Sequence, residues 1–359
     1  MFFPFLRPFL FSVDPERAHH LAIEALKLLQ TAPALPPPPS DSRLSQNVWG
    51  LHFPNPVGLA AGYDKNAAVP LVWSALGFGF AELGTITAKA QPGNPKPRVF
   101  RLEQDDALVN RLGFNNDGAI TVARRLTSLL PSGRSHPVPL GFNIGKSKVT
   151  PLDEAENDYL ISLEQLFSFA DYLVVNVSSP NTPDLRKLQE PERLGRLLEM
   201  LQTRGRQLAA QANVTPKPLL VKIAPDLTDD EAREVARVSQ SVGIAGLIAT
   251  NTTIARPPLR TPISEDGGLS GKPLAARACE VLRVLYRAVD GKLPLIGVGG
   301  IFSAGDAYAR IRAGASLVQI YTGLIYEGPL LPRRIVDGLS ALLAKDGFRH
   351  LHEAVGTNT

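Results

Sequence analysis

Residues 171–186 read DYLVVNVSSPNTPDLR. Tyr172 to Val175 form a short apolar run of the kind that lies buried in a parallel sheet. Immediately after it the chemistry changes. Asn176, Ser178, Ser179, Asn181 and Thr182 crowd polar groups into the following turn, and Pro180 and Pro183 stiffen it. An apolar strand ending in a stiff polar loop is how an α/β enzyme presents side chains at a strand's C-terminal end. The same composition also suits an ordinary βα turn. The rest of the chain decides between them.

Outward from this stretch, short apolar runs alternate with helical patterns. The runs are 57–61, 80–86, 138–143, 172–177, 219–223, 246–250, 295–298 and 317–321. Helical patterns fall at 66–76, 117–129, 153–169, 191–211, 228–241, 273–289, 303–313 and 331–344. This repeated order predicts an α/β fold, a (β/α)8 TIM barrel, more than a doubly wound sheet. A doubly wound sheet needs a glycine-rich first turn, and no GxGxxG follows 57–61. Residues 91–102, QPGNPKPRVFRL, read as an extended excursion, a small hairpin over the barrel mouth. The long insert 252–271 is a candidate lid.

A chain of 359 residues suits a barrel plus additions. Its apolar content of 44% sustains a large core, and 20% charged residues is ordinary for a soluble protein. The net charge of +4 comes without a dense Lys/Arg block, so nucleic acid is not expected as a partner. Cys279 is the single cysteine, which excludes an intrachain disulfide and any multi-cysteine metal site. It falls in a helical pattern, where a buried structural thiol is expected.

The N-terminus, MFFPFLRPFLF, superficially resembles a signal peptide. Pro4 and Pro8 interrupt it, and no small-residue cleavage site follows. No apolar run reaches the roughly 18–20 residues that span a bilayer. Asp14 reads as an N-cap with Pro15 at the first helical position. Ala18, Leu21, Ala22, Ala25, Leu26 and Leu29 then mark one helical face, opposed by Glu16, Arg17, Glu24 and Lys27. That face either packs on the main domain or lies in a membrane interface. Residues 31–40, TAPALPPPPS, read as a stiff linker. The expected division is a helical N-terminal unit over 1–40 and a barrel over 41–359.

Chemistry in such a barrel sits at the strand ends. These carry Ala61-Gly62-Tyr63-Asp64-Lys65, Gly84-Thr85 with Thr87, Asn143, Asn176 with Ser178 and Ser179, Lys222, Thr250 to Thr253, Gly297 to Gly300, and Tyr321-Thr322-Gly323. Asp64 is the one carboxylate among them. No metal site is therefore expected, nor hydrolysis by paired carboxylates. A ring of Lys, Asn, Thr and Gly suits a planar, amide-rich anionic ligand. Gly299-Gly300 and 321–323 match a phosphate cradle after the last two strands, with Ser303 as a helix cap, although a glycine pair also serves simple turns. Lys222 inside the mouth is either salt-bridged or set against the electron-rich pole of a cofactor. Lys65 poses the same choice, with Asp64 as a neighbouring partner. Asn110 to Asn116 combine amides with a turn glycine, and Asn116 can also cap the next helix. A membrane-docked binding module and a phosphate-binding lyase or isomerase barrel share parts of this pattern; the latter lacks a base beyond the lysines.

Ten stretches in order carry a family pattern: AGYDK (61–65), GTIT (84–87), QPGNPKPRVFRL (91–102), NRLGFNN (110–116), NVSSPNTP (176–183), VKIAPDL (221–227), ATNTT (249–253), GGLSGKPL (267–274), GVGGI (297–301) and SLVQIYTG (316–323). Together they resemble the dihydroorotate dehydrogenases over nearly the whole chain. The quinone-linked, membrane-associated class carries serine as the catalytic base where the cytosolic class, which uses fumarate or NAD, carries cysteine. Ser179 stands at that position. DPERAHHLA (14–22) with its proline-rich continuation resembles that class's quinone-tunnel domain.

The resemblance implies oxidation of dihydroorotate to orotate with FMN as hydride acceptor and a membrane quinone as final acceptor, in pyrimidine biosynthesis. It implies FMN contacts at Ala61, Gly62, Lys65, Thr85, Asn143, Asn176, Lys222, Thr250, Gly271, Gly300, Tyr321 and Thr322. Substrate contacts are implied at Lys65, Asn110, Arg111, Leu112, Gly113, Phe114, Asn176, Asn181, Asn251 and Thr252, and quinone contacts at His19 and Arg101. The N-terminal unit is expected on a lipid bilayer surface, the cytoplasmic face of the inner membrane. Two positions depart from the family pattern. Tyr63 stands where Leu or Phe is commoner, and Asp184 replaces a frequent glycine, a residue type that still tolerates positive φ.

Overall fold

The computed structural model describes residues 3–31, 41–130 and 136–359. Beyond Thr31, the linker expected over 31–40 lies outside them. Two helices come first, α1 (Phe3–Ser12) and α2 (Pro15–Thr31). A hairpin of β1 (Gln46–Val48) and β2 (Leu51–Phe53) follows, then β3 (Val57–Leu59), β4 (Phe80–Ile86), β5 (Val99–Leu102) and β6 (Ala107–Asn110). From α3 (Ala119–Leu129) the alternation is regular: β7 (Leu140–Ile144), α4 (Ala155–Leu166), β8 (Tyr172–Asn176), α5 (Pro191–Ala212), β9 (Leu219–Ile223), α6 (Asp229–Val242) and β10 (Gly246–Ala249). The chain finishes with β11 (Gly268–Gly271), α7 (Ala275–Ala288), β12 (Leu295–Val298), α8 (Ala304–Arg312), β13 (Leu317–Ile320), α9 (Thr322–Glu327), α10 (Leu331–Lys345) and α11 (Leu351–Ala354).

The strands β3, β4, β7, β8, β9, β10, β12 and β13 close into a parallel barrel, the (β/α)8 architecture expected. Each is buried along its length because helices cover the outside and side chains fill the inside. The filling needs glycine in two places. A Cβ on Gly58 would stand 2.2 Å from the Phe80 ring, and one on Gly141 would stand 2.1 Å from the Tyr172 ring. Phe80 and Tyr172 therefore occupy the barrel's lower interior. The β1–β2 hairpin plugs that end with Trp49, whose Nε1 donates to the Ala245 carbonyl at 2.7 Å.

At the opposite end β5, β6 and β11 make a small antiparallel sheet with its own core of Leu102, Ala107, Val109 and Leu269. The excursion expected over 91–102 thus supplies only the first strand of a hairpin, whose return strand is β6, and the last residues of the 252–271 insert are tied to it as a third strand. Two expectations fail. Residues 66–76 hold only one helical turn, Ser74–Leu76, because Pro70 removes a helical N–H and Asp64 accepts from Ala68 N and Val69 N instead. Glu16 also does not lie on the solvent face of α2. It is buried against Arg98, at 2.6 and 3.1 Å, and this pair docks α2 on the excursion.

Candidate active site

One cavity of about 770 Å3 runs from the barrel interior, past the strand ends, to the inner faces of α1 and α2. Its floor is polar although nearly all of its surroundings are apolar. Lys222 on β9 reaches Glu82 on β4 at 3.4 Å. Glu82 also accepts from Asn143 Nδ2 at 2.7 Å and from Gln319 Nε2 at 2.6 Å. The salt-bridge reading of Lys222 therefore holds, and Lys222 lines the cavity as well. Glu82 lies within β4 and not at its end, and its mark in the sequence is a lone carboxylate inside an apolar run.

Above the floor, the β8 loop faces the loop after β10. Asn176 Nδ2 donates to Thr85 Oγ1 (3.0 Å) and Asn143 Oδ1 (3.1 Å). Its carbonyl accepts from Ser178 Oγ at 2.9 Å and from Asn251 Nδ2 at 3.4 Å. Ser179 is buried, lines the cavity and accepts from Asn181 N at 3.3 Å. Asn181 Nδ2 donates to the Asn110 carbonyl at 3.1 Å, closing the loop onto β6. Thr182 Oγ1 is buried with no hydrogen-bond partner among the described residues, the situation in which an ordered water is expected. Asp184 has φ +59°, so the left-handed turn that favours glycine is present and aspartate occupies it.

Lys65 projects into the same space without a hydrogen-bond or ion-pair partner among the described residues. Asp64 is spent on backbone N–H groups and does not bond it. Burial lowers the Lys65 pKa to about 8, against the smaller opposing pull of Glu16. An amine so placed accepts an anion readily. At the other side, Gly300 packs so tightly that a Cβ would stand 2.4 Å from Ala275 Cβ. Ser303 caps α8, as expected, by accepting from Asp306 N. The Asp306 carboxylate takes Phe302 N–H and the Ser303 hydroxyl, so α8 has little left for a ligand. Among the described residues, Gly300 and the start of α9 line the cavity with N–H groups that no backbone carbonyl takes up.

The structure brings together on this cavity Ala61, Gly62, Lys65, Thr85, Asn176, Lys222, Thr250, Gly271, Gly300, Tyr321 and Thr322. Asn110, Leu112, Gly113, Phe114, Ser179, Asn181, Asn251 and Thr252 join them. Asn143 lies one hydrogen bond beneath, on Thr85 at 2.6 Å. Arg111 is the exception. Its guanidinium turns outward to Glu265 at 2.5 Å and to the Pro97 carbonyl at 2.9 Å, and it lies 4.9 Å from the Phe100 ring centroid. It lines a separate outer cleft because those partners stand on the solvent side of the small sheet.

His19 and Arg101 both line the arm of the cavity beneath α1 and α2. Arg101 donates to the carbonyls of Phe11 (3.1 Å) and Val13 (2.7 Å), fixing the turn between the two helices. Burial, assisted by the Lys65 charge, holds His19 well below the usual histidine range, so the ring is neutral. The rest of that arm is apolar, with Leu6, Leu10, Ala22 and Leu26 on its walls.

A family model described as dihydroorotate dehydrogenase matches residues 43–343. The dihydroorotate dehydrogenase (quinone) of Acidithiobacillus ferrooxidans is 52% identical, over 99% of both chains. That of Gloeobacter violaceus is also 52% identical, over 98% of this chain and 97% of the relative. The crystal structure of DHODH in complex with ferulenol from Eimeria tenella superposes with a TM-score of 0.90 at 42% identity, covering 96% of each chain. By sequence over nearly its full length, and by fold, this chain belongs to the dihydroorotate dehydrogenase family.

Proposed function

We propose that this protein oxidises dihydroorotate to orotate and passes the electrons to a membrane quinone, in pyrimidine biosynthesis. The observation that carries this reading is the continuity of one cavity from Ser179 and Lys222 to the apolar arm between α1 and α2. The family is one of flavoenzymes, and the residues present suit FMN. The volume falls within the usual range for ligand sites. Gly300 and the first turn of α9 would take the phosphate, and Thr85, Asn176 and Lys222 offer a hydroxyl, an amide and a cation to the polar edge of the ring, with Asn143 holding Thr85 from beneath. Bound there, FMN supplies the acceptor for the hydride that leaves C6 of the substrate.

The protein's own groups do the rest. Lys65 meets the substrate carboxylate with an unpaired ammonium. Asn110, Asn176, Asn181 and Asn251 present amides to the ring's own amides. Arg111 contributes through its backbone, given where its side chain lies. Ser179 Oγ takes the C5 proton. A serine hydroxyl is a weak base, so the proton must move on, and the unpartnered Thr182 hydroxyl beside the loop provides the next polar stop through a water. Phe114 closes that wall.

The quinone reaches the site beneath α1 and α2, with His19 and Arg101 at its polar end. Residues 1–40 serve as the quinone-access unit and 41–359 as the FMN barrel. Phe5, Phe9 and Leu28 are 83%, 65% and 75% exposed on these helices. No helix among the described residues is long and apolar enough to cross a membrane. A helix pair with this outer surface lies in the interface instead, on the cytoplasmic face of the inner membrane. An acceptor panel tests the assignment. Dihydroorotate should support reduction of a short-chain quinone and of neither fumarate nor NAD; a preference for either soluble acceptor contradicts it.

A further inference from the structure

The hydrogen bonds beneath the cavity all run one way, and Glu82 is where they end. Glu82 is fully buried on β4 and is touched by Asn143 Nδ2, Gln319 Nε2 and Lys222 Nζ, all donors. A carboxylate offers acceptors and no donor, so an amide beside it must turn its NH2 inward and its carbonyl away. Asn143 accordingly presents Oδ1 to Thr85 Oγ1 at 2.6 Å and to Asn176 Nδ2 at 3.1 Å. Asn176 in turn presents its carbonyl to Ser178 N at 3.2 Å and to Asn251 Nδ2 at 3.4 Å.

The far end is as fixed as the near one, because the Ser178 backbone N–H can only donate. An acceptor at the floor and a donor at the loop leave a single orientation for both asparagines between them. Reversing either amide would place two carbonyls or two NH2 groups face to face in a buried site, at a cost of about 1–3 kcal/mol for each group left unmatched.

We propose that Glu82 is a positioning residue for the reaction, acting at both ends of this relay. Through Asn143 and Asn176 it fixes which way the site's amides face, up to the loop that holds Ser179. Through Lys222 it limits how much positive charge the barrel floor presents to a bound flavin. The inference rests on the flavoenzyme reading above and goes beyond it, since Glu82 itself lies beneath the cavity lining.

The test is Glu82→Gln in the full-length holoenzyme. Glutamine keeps the size and removes the charge, and its carbonyl can still accept from Asn143, so the charge is lost while the relay keeps its direction. Lys222 is then uncompensated and favours the more negative, reduced flavin. The ratio of reduced to oxidised flavin at a fixed potential should rise about tenfold, or about 30 mV for a two-electron couple. Asn143→Leu cuts the relay but keeps the Glu82–Lys222 pair. The kcat for flavin reduction should fall about tenfold or more in this variant, with KM changed far less and the potential where it was, because the amides lose their enforced direction, and it decides the matter if Glu82→Gln does not fold. A wild-type potential in Glu82→Gln, or wild-type kcat in Asn143→Leu, overturns the proposal. A wild-type protein that binds no flavin overturns the underlying reading instead.

Discussion

Arg186 and Asp226 join the two loops that face each other across the cavity. Arg186 Nε donates to the Ser178 carbonyl at 3.0 Å, and its Nη2 reaches Asp226 at 2.9 Å and the Thr252 carbonyl at 3.3 Å. Asp226 accepts from Thr253 Oγ1 and, at 3.2 Å, from Ile254 N. One ion pair thereby sets the spacing between the Ser179 loop and the Asn251–Thr252 loop. Arg186→Met should lower single-turnover flavin reduction about 10²-fold, since displacement of about 1 Å costs that much. Arg186→Lys should recover only part of this, because an ammonium cannot fork between two loops. Stopped-flow absorbance at saturating dihydroorotate measures both, and full activity in Arg186→Met would remove the pair from any positioning role.

Ser179→Ala should slow flavin reduction by about 10²–10⁴-fold while flavin stays bound, the usual contribution of a positioned acid–base group. The comparison is made at single turnover, so that quinone chemistry does not mask it. Undiminished reduction in the variant would assign the proton to another group.

Lys65 makes the site sensitive to alkali. Its folded pKa of about 8 lies below the ordinary 10.5, with burial as the main cause. An anion binds the protonated amine, so orotate affinity should be constant below about 8 and weaken as pH rises through it. The loss should approach about tenfold per pH unit. Spectral titration of the flavin with orotate across that range checks the sign. Lys65 also bears on stability. Between about 8 and 10.5 the unfolded chain binds the extra proton, so stability due to this group rises with pH there.

Glu16 links α2 to the rest of the molecule. Burial pushes its pKa up, but hydrogen bonding and charge from Arg98, with Lys96 and Lys65 behind it, outweigh that and leave it below the ordinary 4.5. Its contribution is present above 4.5 and is lost as pH falls through the lowered folded value. Glu16→Ala leaves Arg98 buried and unpaired, a loss of about 3–5 kcal/mol. Quinone turnover should therefore fail while flavin reduction by dihydroorotate survives, as it should on deletion of residues 1–40. Steady-state quinone assays set beside anaerobic reduction separate the two, and equal loss of both would show that α2 supports the barrel itself.

Much of this was legible in the sequence because parallel barrel strands are buried on both faces and read as continuous apolar runs. β4, β9 and β12 match the expected runs at both ends, and the others differ by a residue or two. Helix α9 went unseen since its few residues continue the apolar pattern of β13. The expected helix at 66–76 failed at Pro70, a local signal outweighed by apolar spacing. At the site, side chains on strand ends were readable from position alone. Glu82, Arg186 and the buried face of Glu16 were not, because each is defined by a partner distant in sequence. Arg111 illustrates the same limit in reverse: its stretch lies at the cavity, but Glu265 and Phe100 draw its side chain outward.

The central claim is that the polar rim of this barrel holds a flavin which dihydroorotate can reduce. Anaerobic addition of dihydroorotate to the purified full-length protein tests it in one step. The account predicts a yellow protein whose visible absorbance bleaches to completion and returns when a quinone is added. A colourless protein, or a yellow one that dihydroorotate leaves unbleached, would contradict it.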